Sequence, residues 1–364
     1  MSQVKVAVIG CGRIAGHHCR SIQKNKELKL IAVCDLIAEK ADKYGQEFSV
    51  PSYVNYHSML KEHPEIEVVA IVTPSGMHYE HSLDILRNYR KHIIVEKPTY
   101  LKLSHFREVS KVAESLQLKV FPVFQNRYNL AVQRVLKALN ANELGQLNIV
   151  SVRVRWCRPQ RYYDLSNWRG TWSMDGGAIS NQGVHHIDLL RYLGGEISEV
   201  SAIQGTLGAN IEVEDTCMAT LKFANGAMGS LEITTAARPD DFEASISILG
   251  SQGMAQIGGL AVNELQIFTP QPSECQKNSE DFSQCVYGNG HEKLYQDILK
   301  SLKHQSDGPI STADAFHSLA LLHAFYVSAE KQIAIKPSEF HESARLGRAD
   351  EQLAQVYRTV EATL

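Results

Sequence analysis

The chain has 364 residues, of which 44% are hydrophobic and 21% charged, and its formal net charge at pH 7 is −3. These values are typical of a globular protein with room for two domains, and they argue against nucleic acid as the main partner, which requires clustered Lys and Arg. No run of 18 apolar residues is present, so the sequence predicts no membrane span and no membrane partner. Seven widely spaced cysteines without a C-x-x-C motif indicate reduced thiols, and we expect a cytoplasmic protein.

The first 35 residues predict a dinucleotide-binding turn. An apolar strand at 4–9 runs into the sequence GCGRIA at 10–15, which matches G-x-G-x-x-A, and a helix follows to residue 22. Such a turn presents a helix N-terminus to a pyrophosphate. A second strand, 28–34, ends at Asp35, whose carboxylate can accept both ribose hydroxyls and would repel a 2′-phosphate, so we expect NAD rather than NADP. The cofactor-binding residues predicted here are Gly10, Gly12, Arg13, Ile14 and Asp35.

Residues 1–124 continue to alternate strand and helix, which predicts a Rossmann domain with a doubly wound parallel sheet. Ligands of such sheets bind at the carboxyl ends of the strands, where the loop at 73–78 and the tripeptide Glu96-Lys97-Pro98 fall. A lysine above the cofactor crevice would be partly desolvated and therefore usable as a proton donor or acceptor. From position alone, a surface lysine in a turn is an equal alternative for Lys97.

From residue 125 the pattern changes to the period-2 alternation of half-buried strands. We predict strands at 150–156, 199–206, 216–223, 228–235, 243–250, 254–257 and 265–269. Two late helices, 291–303 and 312–332, are expected to cover this sheet, and the polar stretch 269–289 is expected to be a surface excursion. Residues 125–364 thus predict an α+β domain for substrate binding and oligomerisation, with a large, mostly antiparallel open sheet.

A helical stretch at 178–193 places Asn181, His185 and Asp188 on one face, after a glycine-rich entry. An amide, an imidazole and a carboxylate in line suit a substrate hydroxyl better than a dry core, although a buried histidine often has a structural role. Adjacent histidines at 17–18 and 185–186 point apart on a helix, and no H-x-x-x-H or carboxylate ligand set is evident in the sequence. We therefore predict no metal site.

All three tryptophans fall between residues 153 and 172, together with several arginines and tyrosines. This density of guanidinium and aromatic groups suits either an anionic ligand with a stackable base or a subunit interface, and the two readings can coexist. The substrate-binding residues predicted in this segment are Arg158, Arg161, Tyr163, Trp168 and Arg169.

Together these stretches resemble the glucose-fructose oxidoreductase, inositol dehydrogenase and MocA (Gfo/Idh/MocA) family over nearly the whole chain. The resemblance implies that Lys97 lies beside the nicotinamide and the reacting hydroxyl, with an often cis bond to Pro98, and that His185 binds that hydroxyl and can act as the base. Many members have D-x-G-x-H-x-x-D, whereas Asn181 stands at the first Asp; an amide cannot take a proton, so His185 and Lys97 would carry the acid-base work. The further cofactor contacts predicted are Thr73, Pro74, His78, Glu96, Lys97 and Asn126.

Within the family, the segments 161–163, 168–171 and 181–185 resemble members that oxidise C3 of a nucleotide-linked sugar, such as UDP-N-acetylglucosaminuronate, for surface polysaccharides. The expected reaction passes a hydride to the nicotinamide of NAD while His185 takes the hydroxyl proton and Lys97 stabilises the alkoxide. The alternatives are a dehydrogenase of a free polyol or aldose such as inositol, an NAD-dependent glycosidase of the same fold, and a sensor without activity. The resemblance also implies a homodimer or homotetramer built through the open sheet.

Overall fold

We describe residues 3–282, 288–304, 308 and 310–358 in a computed structural model of the chain. These residues form two compact units, each taken here by itself. Unit 1 holds the described residues of Met1–Val123, His291–Phe316 and Ala349–Leu364, and unit 2 holds those of Phe124–Gly290 and His317–Arg348. In the described ranges no helix has both the length and the hydropathy that a membrane span needs.

The domain boundary at 124 and 125 stays a prediction, but two late segments that we assigned to the second domain lie in unit 1. Residues of both segments bind residues of the first domain. The Lys119 ammonium donates to the backbone oxygen of Ser301 over 3.0 Å, and the Arg358 guanidinium binds the Glu80 carboxylate over 2.7 Å. We expected the helix at 291–303 to cover the second sheet. It belongs to unit 1 instead, because its contacts are with residues of the first domain.

Unit 1 contains a six-stranded sheet in which every neighbouring pair is parallel. Its first elements are β1 (Val4–Ile9), α1 (Ala15–Lys24), β2 (Leu28–Cys34), α2 (Ala38–Phe48), β3 (Ser52–Tyr53), α3 (Tyr56–Glu62), β4 (Val68–Ile71), α4 (His78–Asp84), β5 (His92–Val95), α5 (Leu103–Ser115) and β6 (Val120–Pro122). The strand order is β3-β2-β1-β4-β5-β6. Because the order reverses between β1 and β4, the loops that follow these two strands lie side by side. The predicted doubly wound fold is confirmed.

Unit 2 contains a seven-stranded sheet in the order β13-β12-β11-β7-β10-β9-β8, in which only β7 and β10 pair in parallel. Its elements are α6 (Leu130–Asn140), β7 (Leu147–Arg155), α7 (Gln160–Tyr163), α8 (Ala178–Asn181), α9 (Val184–Gly194), β8 (Ile197–Gly205), β9 (Thr216–Phe223), β10 (Met228–Thr234), β11 (Glu243–Gly250), β12 (Met254–Gly258), β13 (Glu264–Phe268) and α10 (Glu274–Lys277). Later helices are α11 (Gly290–His304), α12 (Thr312–Lys331) and α13 (Glu351–Tyr357). Alternate residues of β9 are buried, as the period-2 pattern predicts. The mostly antiparallel sheet is confirmed, and of the predicted excursion at 269–289, residues 283–287 lie outside the described residues.

The single helix predicted at 178–193 is wrong. The structure has two helices, α8 and α9, which meet at Gln182 and Gly183. The backbone N–H of Gly183 bonds to the oxygen of Ala178 over 2.7 Å, five residues back, which interrupts the regular ladder. A Cβ on Gly183 would lie 2.5 Å from the Cδ1 of Ile233 on β10 and 3.1 Å from the Cα of Ile179, so glycine favours the close packing of this junction on the sheet.

Candidate active site

The glycine turn of unit 1 has the features that a pyrophosphate site requires. Gly10 has φ +95°, and a Cβ there would lie 2.5 Å from the backbone oxygen of Val72, so only glycine fits beside the loop after β4. A Cβ on Gly12 would meet nothing within 4 Å, so this side of the turn is open to a ligand. Helix α1 begins at Ala15 without a side-chain cap or an acidic residue in its first turn. Its N-terminal dipole therefore favours an anion.

Asp35 is held against the same turn. One carboxylate oxygen accepts the backbone N–H of Cys11 over 2.8 Å, and the other accepts that of Ile37 over 2.9 Å. The hydroxyl of Tyr44 donates to the backbone oxygen of Gly12 over 2.7 Å. Each Asp35 oxygen has further acceptor capacity, so the residue can also take ribose hydroxyls, and the geometry fits the predicted role.

His78 joins the loops that follow β4 and β5. Its ring nitrogens lie 3.0 Å from the backbone oxygen of Thr73 and 3.0 Å from that of Pro98, and burial lowers the pKa of the imidazole. The hydroxyl of Thr73 also contacts His81, 3.0 Å away. Both ring nitrogens of His78 therefore face the protein backbone, which gives the residue a positioning role. Direct contact of Thr73, Pro74 and His78 with the cofactor stays a prediction.

Glu96 is the centre of a buried network. One of its oxygens lies 3.0 Å from Nε2 of His18 and 3.4 Å from Nε2 of His291, and the other accepts the backbone N–H of Lys97 over 2.9 Å. Burial alone would raise the pKa of Glu96, but the hydrogen bonds from the two histidines hold it well below its usual range. Tyr295 completes the network, with its hydroxyl 2.8 Å from Nδ1 of His18. The Glu96 carboxylate thus fixes the backbone of Lys97 by accepting its N–H.

The cluster around Glu96 also has the spacing of a metal-ligand set. One ligand atom each from His18, Glu96 and His291 lies within 4.8 Å of the others, a spacing within reach of a metal ion. The sequence analysis found no such set because the histidines are 78 and 195 residues from the glutamate. Hydrogen bonds between these atoms account for the arrangement in the described chain.

Lys97 is the second residue after β5 and is half-buried. The peptide bond from Lys97 to Pro98 is cis, which confirms what the family resemblance implied.

His185 lies in the first turn of α9 and is 8% exposed. Its Nε2 is 3.2 Å from the side-chain nitrogen of Gln125, and the ring of Phe124 meets it edge-on at 6.2 Å. Gln125 was missed by the sequence analysis, which selected its neighbour Asn126 as a cofactor contact; both belong to a 3-10 helix, Gln125–Tyr128. The only available signal was their place shortly after the end of β6 at Pro122.

Asn181 has an acidic partner that the motif comparison did not predict. Its amide donates to a carboxylate oxygen of Asp175, whose other oxygen accepts the backbone N–H of Gly170 over 2.8 Å. Asp175 is 1% exposed. A carboxylate therefore does lie beside the position where many relatives have Asp, but it comes from the preceding loop.

Asp188 is engaged by protein donors on both oxygens. Arg127 binds them in a bidentate pair at 2.7 and 2.5 Å, and the hydroxyl of Ser318 donates to one of them over 2.6 Å. Asp188 is 1% exposed, and the Arg127 guanidinium lies 4.3 Å from the ring of Tyr192. This geometry is that of a positioning residue, since it holds the 3-10 helix at 125–128 against α9 and Gln125 against His185. Contact of Asp188 with the substrate stays a prediction.

Five residues of the 153–172 segment form one arginine–aromatic stack. Its members are Trp156, Arg158, Tyr162, Trp168 and Arg169. The guanidinium of Arg169 lies 4.3 Å from the Tyr162 ring and 4.6 Å from the Trp168 ring, and Arg158 lies on Tyr162 at 5.6 Å. The amide of Gln182 donates to the Tyr162 hydroxyl over 3.3 Å, which connects the stack to the α8–α9 junction.

The other two predicted members of the segment are not in this stack. Arg161 is exposed. Tyr163 is buried, with its hydroxyl 3.0 Å from that of Thr235, and burial raises its pKa to about 12. Three of the five predicted substrate contacts are therefore members of the stack, together with Tyr162, a residue that the prediction left out.

Glu214 is a further residue that the sequence analysis missed. It is 4% exposed; one oxygen accepts the backbone N–H of Ile179 over 3.1 Å and the hydroxyl of Tyr326 over 3.0 Å. The other oxygen has no hydrogen-bond partner in the described chain. Burial raises the pKa of Glu214 to about 8, so a neutral carboxyl supports the start of α8 at pH 7.

Two family models match the chain. One, described as an oxidoreductase family with an NAD-binding Rossmann fold, matches residues 4–124. The other, the GFO/IDH/MocA C-terminal domain, matches residues 132–256.

Two solved structures resemble the chain over most of its length. The WlbA dehydrogenase of Bordetella pertussis, in complex with NADH and UDP-GlcNAcA, is 32% identical, with 92% of this chain and 98% of that one covered and a TM-score of 0.86. The WlbA dehydrogenase of Chromobacterium violaceum, with the same two ligands, is 33% identical, with 92% and 96% covered and a TM-score of 0.84.

Curated relatives are more distant. Glucose-6-phosphate 3-dehydrogenase of Bacillus subtilis is 27% identical over 218 residues, and the match spans 58% of this chain and 59% of that protein, which is less than two thirds of its length. The scyllo-inositol 2-dehydrogenase (NAD(+)) of the same organism is 25% identical over 283 residues, 74% of this chain and 78% of that protein.

Proposed function

Because the chain belongs to the Gfo/Idh/MocA family of oxidoreductases with an NAD-binding Rossmann fold, we propose that it is an NAD-dependent dehydrogenase of a sugar secondary alcohol. The substrate that we propose is a UDP-linked N-acetyl amino sugar or its uronate, oxidised at C3 for surface polysaccharide synthesis in the cytoplasm. The observation that carries this proposal is the likeness, over 92% of the chain, to two dehydrogenases solved with NADH and UDP-GlcNAcA.

In the proposed reaction, unit 1 binds the dinucleotide. The open side of the glycine turn and the N-terminus of α1 take the pyrophosphate, and Asp35 takes the adenosine ribose. Bound NAD supplies the hydride acceptor. The network around Glu96 fixes the backbone at Lys97, so that its ammonium can stabilise the alkoxide that develops on the substrate.

Unit 2 supplies the base. A ring nitrogen of His185 takes the hydroxyl proton, and Gln125 orients the ring through the contact at 3.2 Å. The buried pair of Arg127 and Asp188 keeps Gln125 in place. Positioned acid-base assistance of this kind contributes about 10² to 10⁴ in rate.

The test is a substrate panel with purified protein and NAD, followed by NADH absorbance and by mass spectrometry of the sugar product. We expect NADH to form with UDP-GlcNAcA or UDP-N-acetylglucosamine and the product to lack two hydrogens. Sugar release without net NADH would favour the glycosidase alternative. NADH formation with none of the UDP sugars would contradict the proposal.

A second candidate function, oxidation of a free polyol, is favoured by the match to scyllo-inositol 2-dehydrogenase over 74% of the chain. The same panel separates the two, because a polyol dehydrogenase would turn over free inositol faster than any UDP sugar. The arginine–aromatic stack favours the sugar nucleotide, since a neutral polyol offers neither an anion nor a stackable base.

We also propose that the chain forms a homodimer or homotetramer through the open face of the second sheet. Met228, Ile149, Leu249 and Met254 are cross-strand neighbours in one row across four strands, and they are 64%, 39%, 38% and 46% exposed. A contiguous apolar row of this kind is typical of an interface. Light scattering after size exclusion should give two or four chains per particle, and Ile149→Lys should lower that number.

A further inference from the structure

Arg169 is a cation without an acidic partner in the described part of the chain. Its guanidinium lies between the rings of Trp168 and Tyr162, at 4.6 and 4.3 Å, and its Nη1 donates to the Tyr162 hydroxyl. No described carboxylate oxygen lies within 4.0 Å of it, and its Nε is buried without an acceptor. Arg158 in the same stack differs, because it pairs with Asp241 at 2.8 Å.

This arrangement has an electrostatic cost. Arg169 is half-buried, and its buried Nε is a donor without an acceptor in the described chain, which is unfavourable. The two aromatic faces offset only part of it. Burial and then the charge of Asp175 raise the pKa of Tyr162, so Asp175 is the acid nearest to the stack in effect. Its two carboxylate oxygens accept hydrogen bonds from the Gly170 N–H and the Asn181 amide. An anion that comes with the substrate would complete the site.

Within unit 2, Arg169 is linked through Tyr162 and Gln182 to the helix that carries His185. The Tyr162 hydroxyl, which accepts from Arg169, also accepts from Gln182, three residues before His185. We propose that Arg169 binds an anionic group of the substrate, either a carboxylate on the sugar ring or a phosphate of the nucleotide. The identity of the substrate in this inference rests on the proposed function.

An arginine suits this task better than a lysine. Its planar fork of donors matches the two oxygens of a carboxylate or phosphate, and it keeps its stacking on the aromatic rings while it does so. The Trp168 and Tyr162 rings hold the guanidinium plane in one orientation, so little side-chain freedom is lost when an anion binds.

The experiment measures equilibrium binding by calorimetry, with the NADH-loaded protein titrated with UDP-GlcNAcA, UDP-N-acetylglucosamine and UDP. The variants are Arg169→Met, Arg169→Lys and, as a matched control, Arg348→Met, whose side chain is 63% exposed and pairs with Glu212 at 3.5 Å. Thermal melts of each variant check that the fold is retained. NADH formation by the unmodified protein, measured separately, tests the proposed function.

If Arg169 binds the sugar carboxylate, Arg169→Met weakens UDP-GlcNAcA about 10- to 100-fold and leaves the other two ligands unchanged, whereas Arg169→Lys recovers part of the loss. If it binds a phosphate, all three ligands weaken together. Arg348→Met should weaken none. The inference is overturned if Arg169→Met keeps the affinity for all three ligands, if Arg348→Met weakens them equally, or if the unmodified protein binds none of them.

Discussion

Glu96 in unit 1 and Glu214 in unit 2 are both buried, and each supports the backbone of a site segment, yet their pKa values shift in opposite directions. Glu96 accepts from two histidines as well as from the Lys97 N–H, and its pKa is held well below the usual range. Glu214 accepts from the backbone N–H of Ile179 and from a tyrosine hydroxyl, and burial raises its pKa to about 8. Burial disfavours both anions, and the number and chemistry of the donors decide which one stays ionised.

The largest effect should come from the two residues that we propose carry the acid-base chemistry. Replacing Lys97 or His185 with Ala should lower kcat about 10²- to 10⁴-fold, because each removes acid-base assistance. NADH binding, measured by fluorescence titration, should change little in His185→Ala, whose side chain lies in unit 2. Normal turnover in either variant would contradict the assignment.

A third buried carboxylate, Asp188, tests how strongly a buried acid depends on its hydrogen-bond donors. Asp188 is paired with Arg127, so Asp188→Asn leaves a buried guanidinium uncompensated and should lower the free energy of unfolding by about 3–5 kcal/mol. Urea unfolding measures this. The matched control is Glu47→Gln, which breaks the exposed pair with Arg20 and should cost less than about 1 kcal/mol. Equal losses of unfolding free energy in the two variants would show that burial does not increase the contribution of the Arg127–Asp188 pair to stability.

The pH dependence of stability should separate the two glutamates directly. The folded-state pKa of Glu214 lies above its unfolded value, so the protein loses stability as pH rises from about 4.5 to 8, and Glu214→Gln should remove that loss. The effect is a few kcal/mol, since each pKa unit is worth about 1.4 kcal/mol.

Glu96→Gln should behave in the opposite way. The folded-state pKa of Glu96 lies below 4.5, so its stabilising contribution is present above that pH and is lost as pH falls further. The variant should therefore be less stable than the unmodified protein at pH 7, with a difference that shrinks in acid. Denaturant unfolding at pH 4, 6 and 8.5 covers both variants, and parallel pH profiles for the two would contradict the comparison.

The smallest effect should be on cofactor choice. Asp35→Ala removes the acceptor for the ribose hydroxyls and the charge that repels a 2′-phosphate. We expect about a tenfold weaker affinity for NAD and a smaller preference for NAD over NADP, both measured by titration of the two nucleotides. An unchanged preference for NAD over NADP would show that another group distinguishes the ribose hydroxyls from a 2′-phosphate.

The sequence by itself determined the features that depend on neighbouring residues. The glycine turn at 10–15, the acid at the end of β2 and the tripeptide at 96–98 are local patterns, because backbone geometry over a few residues decides their chemistry. The alternation of the second domain's strands predicted its sheet for the same reason.

Only the tertiary structure decided which side chains meet. Gln125 and His185 are 60 residues apart, and Glu96 and His291 are 195 apart, so no periodicity links them. The packing of Gly183 likewise involves Ile233, which lies on β10, much later in the chain. Partners of this kind set the charge of Glu96, and no described carboxylate pairs with Arg169. Packing makes such contacts across the fold, and local sequence patterns do not encode them.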